Sequence, residues 1–585
     1  MVYFEVIYVE KKYATVCKPW LKYYSSNAKN MQCPKMTAYE YMVLENADNL
    51  NNYALEYFGY KETFKDFIHD INSLAQAFYN INIRKNDVVT IISVASPELI
   101  KTFYALNHIG AILNLIDVRS DAKTIKKYLK ETDSKVVITQ DNFIIELNKS
   151  VNQTDVYKVI TVSPYNSIPK LKKKIATAKY KKTPEYSIIN EIKKDSKYIQ
   201  WNKFLNIPVI EKVKFTSYKE NMDAVYVHTG GTTGVSKTVR LSNDNMNAIA
   251  FQYKLFEGEY HKGETFFNDI VPFVAYGIVA AIHNPLCQGL TNIIVPLLLP
   301  SEFTKYMIEK KPNHVLAVPT YWQDFINNKK VKNMDLSFLK HAGSGGDTLT
   351  LKAKKEINNF FKERGSIASL EEGYGMTEIS SACTLCIGNI KNPNSLGIPL
   401  AKNIVGIFKP ETTEEIEYIN NAVGEICITG PGMMLGYLNN KEEEEKVIKI
   451  HPDGLKWIHS GDLGYIDDDG FIHLVGRIKR MIIRGGFKIY PSEIEKVIST
   501  VKGVKEVCVV KCTSEVYGNE PIAYITIDEN NTSEKEIIKN EIIKKCKKQL
   551  PEYSQPCNII YKEKFPLTSV GKVDYKKLEE ESANY

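Results

Sequence analysis

The chain has 585 residues, 44% hydrophobic and 25% charged, the composition of a multi-domain globular protein rather than a disordered or fibrous one. A formal charge of +7 is small for this length, and with no clustered basic–aromatic patch it excludes an obvious nucleic-acid binder. Ten cysteines lie scattered without paired spacing, so no disulfide framework is expected and a reducing, cytoplasmic setting is.

The first ten residues carry Glu5 and Glu10 in their apolar run, unlike a signal peptide. No stretch reaches ~18 uninterrupted apolar residues, so no transmembrane segment is expected. Phe64, Phe67, Ile71, Leu74, Ala75 and Phe78 recur at helical spacing, and Val88–Val94, Ala111–Ile116, Val136–Thr139 and Val159–Val162 read as strands. Strands alternating with helices predict a parallel sheet covered by helices. Pro169–Lys182 breaks this pattern, with seven lysines and little core periodicity. It reads as a solvated surface helix or loop, or as a contact with acidic lipid, giving weak peripheral membrane association, or with the phosphates of a ligand, which salt should weaken. The alternation returns from 223 to about 400, at Val271–Ile278, His314–Pro319 and Leu336–Gly343, while Ile293–Leu299 reads as a buried strand. Cys383 and Cys386 form a lone CxxC without the second pair of a zinc site, and read as two small thiols. Residues 403–475 are richer in strands, with turns at Asp453-Gly454 and Asp468-Asp469-Gly470. Beyond them come a strand or hairpin at Ile482–Ile489, a helix from Pro491 to Ile498, strands at Val507–Val510 and Ile522–Ile527, and a lysine-rich helix at Ser533–Leu550. The fold class is therefore α/β. A large N-terminal domain (1–478) has layered αβ sheets and a β-rich subdomain, and a small α+β domain (479–585) follows.

The segment His228-Thr-Gly-Gly-Thr-Thr-Gly-Val-Ser-Lys237 follows a short apolar strand. Gly230, Gly231 and Gly234 let the backbone approach a ligand closely. Thr229, Thr232 and Thr233 offer hydroxyls and Lys237 a compact positive charge, the donor set that a polyphosphate needs. Ser236 stands where a Walker loop requires Gly, so a P-loop is excluded. Ala342-Gly-Ser-Gly-Gly346 resembles a nucleophile elbow, but no later His is marked as its base.

The loop has company. Tyr374-Gly-Met-Thr-Glu378, Ser460-Gly-Asp-Leu-Gly464, Gly476-Arg-Ile-Lys479, Gly485-Gly486 with Pro491-Ser-Glu-Ile-Glu495, and Pro566-Leu-Thr-Ser-Val-Gly-Lys-Val573 follow in that order. Together these motifs resemble the adenylate-forming superfamily of acyl-CoA synthetases, peptide-synthetase adenylation domains and firefly luciferase, over about residues 40 to 580. The resemblance implies a ligase that activates a carboxylic acid with ATP and Mg2+ and passes the acyl group to CoA. Thr229, Gly230, Gly231, Thr232, Thr233, Gly234 and Lys237 would hold the phosphates, with Thr229 also counted in the catalytic set. Glu378 would ligate Mg2+, Thr377 would meet the α-phosphate, and Tyr374 with Gly375 would face the adenine, lined by Gly346, Asp347 and Thr348. Asp462 would take both ribose hydroxyls, assisted by Arg477. Lys572 would bridge carboxylate and phosphate, and Lys479 would be the hinge on which a mobile C-terminal domain turns between half-reactions. Gly485 and Gly486 would face the pantetheine thiol.

Thr229-Gly-Gly-Thr-Thr-Gly234 is most similar to fatty acyl-CoA synthetases. The acyl pocket is expected from Phe273, Val274, Tyr276, Gly277, Gly345 and Gly346, an apolar lining suited to a hydrocarbon tail. Val274 replaces a His common in relatives, and Thr238 a Gly. The expected partners are a medium- or long-chain fatty acid, ATP and CoA. Two alternatives stand beside this reading: an adenylating enzyme that loads a separate carrier protein, and a non-catalytic homologue that binds acyl groups or nucleotides.

Overall fold

The computed structural model describes residues 12–229, 236–256, 260–296, 300–346, 349, 351–386, 392, 395–527, 534–567 and 573–582. They form two compact units. One comprises 20–404 and 428–458, the other the N-terminal residues to 19 with 405–427 and 459–585.

The first unit holds two large sheets. One runs in the order Gly436–Tyr437, Lys237–Ser242, Asp223–Thr229, Ile112–Leu115, Val88–Ile92, Val136–Gln140, Lys158–Val162, Tyr198–Gln200. It is parallel from Asp223–Thr229 onward and closes with an antiparallel hairpin. Its central strands are buried on both faces, which is why they read as unbroken β-branched runs. The expected helix is Phe64–Asn80, entered through Thr63, whose side chain accepts a hydrogen bond from the backbone N–H of Asp66. The second sheet has the parallel core Leu370–Met376, His341–Ser344, His314–Ala317, Thr265–Asn268, Thr291–Ile294, Tyr53–Tyr57, flanked by antiparallel edges. Phe303, Trp322, Phe325 and Phe361 fill the core on one of its faces.

Two expectations change here. Val271–Ile278 does not continue the strand alternation: the chain turns at Pro272 and enters a π-helical segment, Tyr276–His283. A short apolar run has no periodicity that tells a strand from a buried helix. Of Ile293–Leu299 only the start is strand, within Thr291–Ile294, and 297–299 lie outside the described residues. Pro169–Lys182 contains a surface helix, Lys170–Tyr180, none of whose residues is buried.

The second unit contains Ile472–Arg477 and most of Gly424–Thr429 and Lys456–Ile466, strands of one five-stranded sheet in which Lys456–Ile466 pairs antiparallel with Ile472–Arg477. It also contains a three-stranded sheet, Val504–Ser514, Gly518–Ile527 and Asn558–Tyr561. Helices Pro491–Ile498 and Lys535–Gln549 pack on one face of the latter through Ile494, Ile498, Ile538 and Ile542. Ile482–Ile489 is the expected hairpin.

Candidate active site

The expected phosphate loop joins the two strands of a hairpin. Thr229 and Lys237 are cross-strand partners at its open end, and the Thr229 hydroxyl donates to the Lys237 carbonyl at 3.4 Å. The residues between them, including Gly230, Gly231, Thr232, Thr233 and Gly234, lie outside the described residues. The hairpin base is rigid. His228 stacks on Tyr128 with ring centroids 3.6 Å apart, and its two nitrogens meet Thr238 Oγ1 at 3.0 Å and Asn114 Oδ1 at 2.9 Å. Burial, and then Lys127, hold the His228 imidazole neutral, with a pKa lowered to about 3. Thr238, the departure from Gly, is buried and has a job here as a partner of His228.

Lys237 reaches toward Tyr437, its ammonium 4.6 Å from the ring centroid, and pairs with Glu443 at 3.3 Å. On the same tyrosine, the hydroxyl donates to Glu378 Oε1 at 2.7 Å. Burial, then Glu378, push the Tyr437 pKa up, so it remains a donor. Glu378 is buried in a 3-10 turn, Thr377–Ile379. The turn ends on Ser380 at φ +63°, a left-handed conformation fixed by its hydroxyl donating to the Gly432 carbonyl at 2.7 Å. Tyr374 is buried on the preceding strand. At Gly375 a Cβ would stand 1.7 Å from the Ser381 carbonyl oxygen, so only glycine allows this strand pair.

The two segments expected to line the acyl pocket do meet. A Cβ on Gly345 would stand 3.1 Å from the Tyr276 hydroxyl, and a Cβ on Gly277 would stand 1.9 Å from the Val271 carbonyl oxygen. Val274 and Tyr276 pack with Leu316 and Val318 against Phe266, Ile270, Ala281 and Leu290. Phe273 is buried elsewhere, with the Arg119 guanidinium 5.6 Å from its ring centroid. Gly346 is exposed beyond the end of its strand, and Asp347 and Thr348 lie outside the described residues. Asp269 escaped the sequence reading. It follows the strand Thr265–Asn268, and both its carboxylate oxygens are buried without a hydrogen-bond partner among the described residues. Burial pushes its pKa well above the ordinary value.

In the second unit, Asp462 and Arg477 are cross-strand partners, and Arg477 Nε lies 2.8 Å from Asp462 Oδ1. The carboxylate is buried and the guanidinium largely exposed. Behind Asp462 stands a buried network. Glu425 meets His459 Nδ1 at 2.8 Å and accepts the backbone N–H groups of Glu411 and Gly461, each at 3.0 Å. Burial opposes the Glu425 charge, but the His459 hydrogen bond and these backbone donors outweigh it and keep its pKa below the usual value. Ser460 donates to the Ile426 carbonyl at 2.6 Å and accepts from the Asp462 N–H at 3.0 Å. Cys427 joins Glu425 and His459 within 4.8 Å, but the carboxylate is already engaged by protein donors. Lys479 is exposed in the turn Ile478–Arg480. Lys572 lies outside the described residues; its flanks Leu567 and Val573 pair antiparallel. Cys383 and Cys386 are both buried, their thiols donating to the Tyr374 and Ser395 carbonyls, each at 3.3 Å.

Comparison with known proteins places this geometry. The family model of the AMP-binding enzymes matches residues 45–438, and that of the AMP-binding enzyme C-terminal domain matches 493–572. The chain belongs to the AMP-binding enzymes. Neither matched range contains the 478/479 boundary. This AMP-binding enzyme is 27% identical to the long-chain-fatty-acid–CoA ligase of Bacillus subtilis over 97% of this chain and 99% of that one. It is 28% identical to the probable 4-coumarate–CoA ligase 2 of Dictyostelium discoideum over 82% and 84%. Its fold matches ATP-bound MatB from Rhodopseudomonas palustris with a TM-score of 0.77 at 19% identity, covering 93% and 99%. It matches the anthranilate CoA ligase AuaEII in complex with anthranoyl-AMP equally well, at 18% identity, covering 95% and 99%.

The AMP-binding enzyme described here is thus an AMP-forming acyl-CoA synthetase that uses ATP, Mg2+ and CoA, and the non-catalytic alternative falls away. No helix among the described residues is long and apolar enough to cross a membrane. Tyr437, Glu443, Glu425 and His459 were not foreseen from sequence. Only Gly436-Tyr437 ahead of an acidic run hinted at the first two.

Proposed function

We propose that the enzyme activates a medium- or long-chain fatty acid. A carboxylate oxygen attacks the α-phosphorus of ATP, the bond to pyrophosphate breaks, and acyl-AMP forms. The CoA sulfur then attacks the acyl carbon, the thiol proton is lost to solvent, and AMP departs. One observation carries the reading of the site: Lys237 and Glu378, 141 positions apart in sequence, both lie on Tyr437. A cation and a buried carboxylate held a tyrosine apart suit a polyphosphate and its hard cation. Glu378 offers an oxygen ligand of the kind Mg2+ prefers, and bound Mg2+ would offset phosphate charge.

In this reading Thr229, Thr377 and Lys237 hold phosphates, and Tyr374 and Gly375 face the base beside Gly346. Asp462 and Arg477 take the ribose, Lys572 bridges the reacting anions, and Lys479 is the hinge between the domains 1–478 and 479–585. The cluster of Val274, Tyr276, Leu316 and Val318 supports an aliphatic acyl group. The Bacillus relative, matched over nearly its whole length, supports the same choice. Aromatic acids are the second reading, favoured by Tyr276 standing against Gly345 and by the 4-coumarate–CoA ligase relatives.

The test is a panel of acids from acetate to oleate, with aromatic acids, incubated with ATP and Mg2+, with and without CoA. AMP formation that peaks on eight or more carbons, with acyl-CoA as product, is the expected result. Turnover confined to aromatic acids replaces the fatty acid. Acyl-AMP that never passes to CoA points to a carrier protein as acceptor.

A further inference from the structure

The helix Lys170–Tyr180 is turned inside out. Its half-buried side consists of Lys173, Ala176, Thr177 and Tyr180, with the Lys173 ammonium donating to the Asn166 carbonyl at 2.9 Å and the Tyr180 ring set edge-on to Tyr165 and Tyr186. Its outer side carries Leu171, Ile175 and Ala178, one helical turn apart, and the two aliphatic side chains are 73% and 54% exposed. An ordinary surface helix does the reverse, burying its apolar stripe. Around that outward stripe stand lysines. Pro169–Lys182 contains seven and no acid, and none of them forms an ion pair among the described residues.

We propose that this helix is a docking surface for an anionic lipid bilayer. An outward aliphatic stripe between lysines is the layout of a helix that lies in a membrane interface. Leu171 and Ile175 enter the acyl region, and the lysines extend along it to place their ammonium groups among the headgroup phosphates. Charge alone would serve a nucleic acid as well, but a nucleic acid has no use for an outward Leu–Ile pair. The outer face also lacks the aromatic or Arg side chains on which bases stack. The inference is independent of which acid the enzyme activates, because it rests on a surface remote in sequence from every residue assigned to the active site.

The test is flotation of the full-length protein with vesicles of phosphatidylcholine alone and with ~30 mol% phosphatidylglycerol, at low and high salt. The wild type should bind the anionic vesicles at least about tenfold more tightly than the neutral ones, and lose that preference as salt rises. Lys170→Gln/Lys174→Gln/Lys181→Gln should weaken anionic-vesicle binding by about 10²-fold. Leu171→Ser/Ile175→Ser, which keeps every charge, should weaken it roughly tenfold. Both variants should keep the wild-type melting temperature and acid-dependent AMP formation in vesicle-free buffer. Equal wild-type binding to both vesicle types, no binding to either, or undiminished binding by both variants would overturn the proposal. So would tighter binding to single-stranded RNA that the Leu171→Ser/Ile175→Ser variant retains.

Discussion

Lys237 and Glu378 sit in one compact unit and Asp462 and Arg477 in the other, and the two pairs are held on different plans. Around Lys237 the contacts are replaceable. Its partner Glu443 is a third exposed, and an ion pair of this kind contributes only about 0–1 kcal/mol. A polyphosphate can take the ammonium over at little cost. Asp462 instead stands on a sheet, backed by Glu425, whose carboxylate ties His459 and two backbone N–H groups together. The first plan suits a ligand whose charge changes during the reaction. The second, under the proposed roles, suits a ribose held in one place through both half-reactions.

The comparison is sharpened first at the group that the proposed mechanism brings to the reacting atoms. Lys572→Ala should lower acid-dependent pyrophosphate exchange by roughly 10²–10³, the scale of losing one charge-stabilising group. Thioester formation from supplied acyl-AMP should survive. Near-normal exchange would remove Lys572 from the first half-reaction. Glu378→Gln tests the replaceable side itself. It keeps an acceptor for the Tyr437 hydroxyl but removes the charge, so adenylation should fall by about 10² with a raised requirement for free Mg2+. An unchanged Mg2+ dependence would assign the cation to another ligand.

Glu425→Ala breaks the fixed side. It strands a buried imidazole and two backbone donors, one on exposed Glu411 and one on half-buried Gly461, so stability should fall by about 1–3 kcal/mol. The KM for ATP should rise roughly tenfold, more than kcat falls, and Glu425→Gln should recover part of both. The sign with pH is also set. The Glu425 pKa is held down in the fold, so its stabilisation is present above the unfolded value of about 4.3 and is lost as pH falls through the folded one. A variant that melts lower but binds ATP as wild type would make Glu425 structural only.

Much of this was legible in the chain. The strands Val88–Ile92, Val136–Gln140 and Lys158–Val162 announce themselves because burial on both faces fills them with β-branched residues, with Gln140 and Lys158 only at strand ends. Glu378 and Asp462 were legible because their neighbours form motifs. Tyr437 was not, because its task depends on a hairpin 200 positions upstream, and no local pattern encodes that distance. Val271–Ile278 misled for a different reason: eight apolar-rich residues fit a strand and a buried helical turn alike.

Asp269 gives the smallest expected effect and the cleanest sign. Its carboxylate is buried with both oxygens unpartnered among the described residues, and burial raises its pKa well above the ordinary value. A raised carboxyl stabilises the fold only below the unfolded pKa of about 3.9, and the penalty grows by about 1.4 kcal/mol per pH unit until the folded pKa is passed. Asp269→Asn is nearly isosteric and neutral at every pH, so it removes that dependence. The variant's melting temperature should therefore gain on the wild type as pH rises from 4 to 7, by about 1–2 °C per unit for a chain of this length. A difference that stays constant with pH would mean that Asp269 has the same pKa in the folded and unfolded chain, and a difference that shrinks as pH rises would mean that a positive group holds it ionised in the fold.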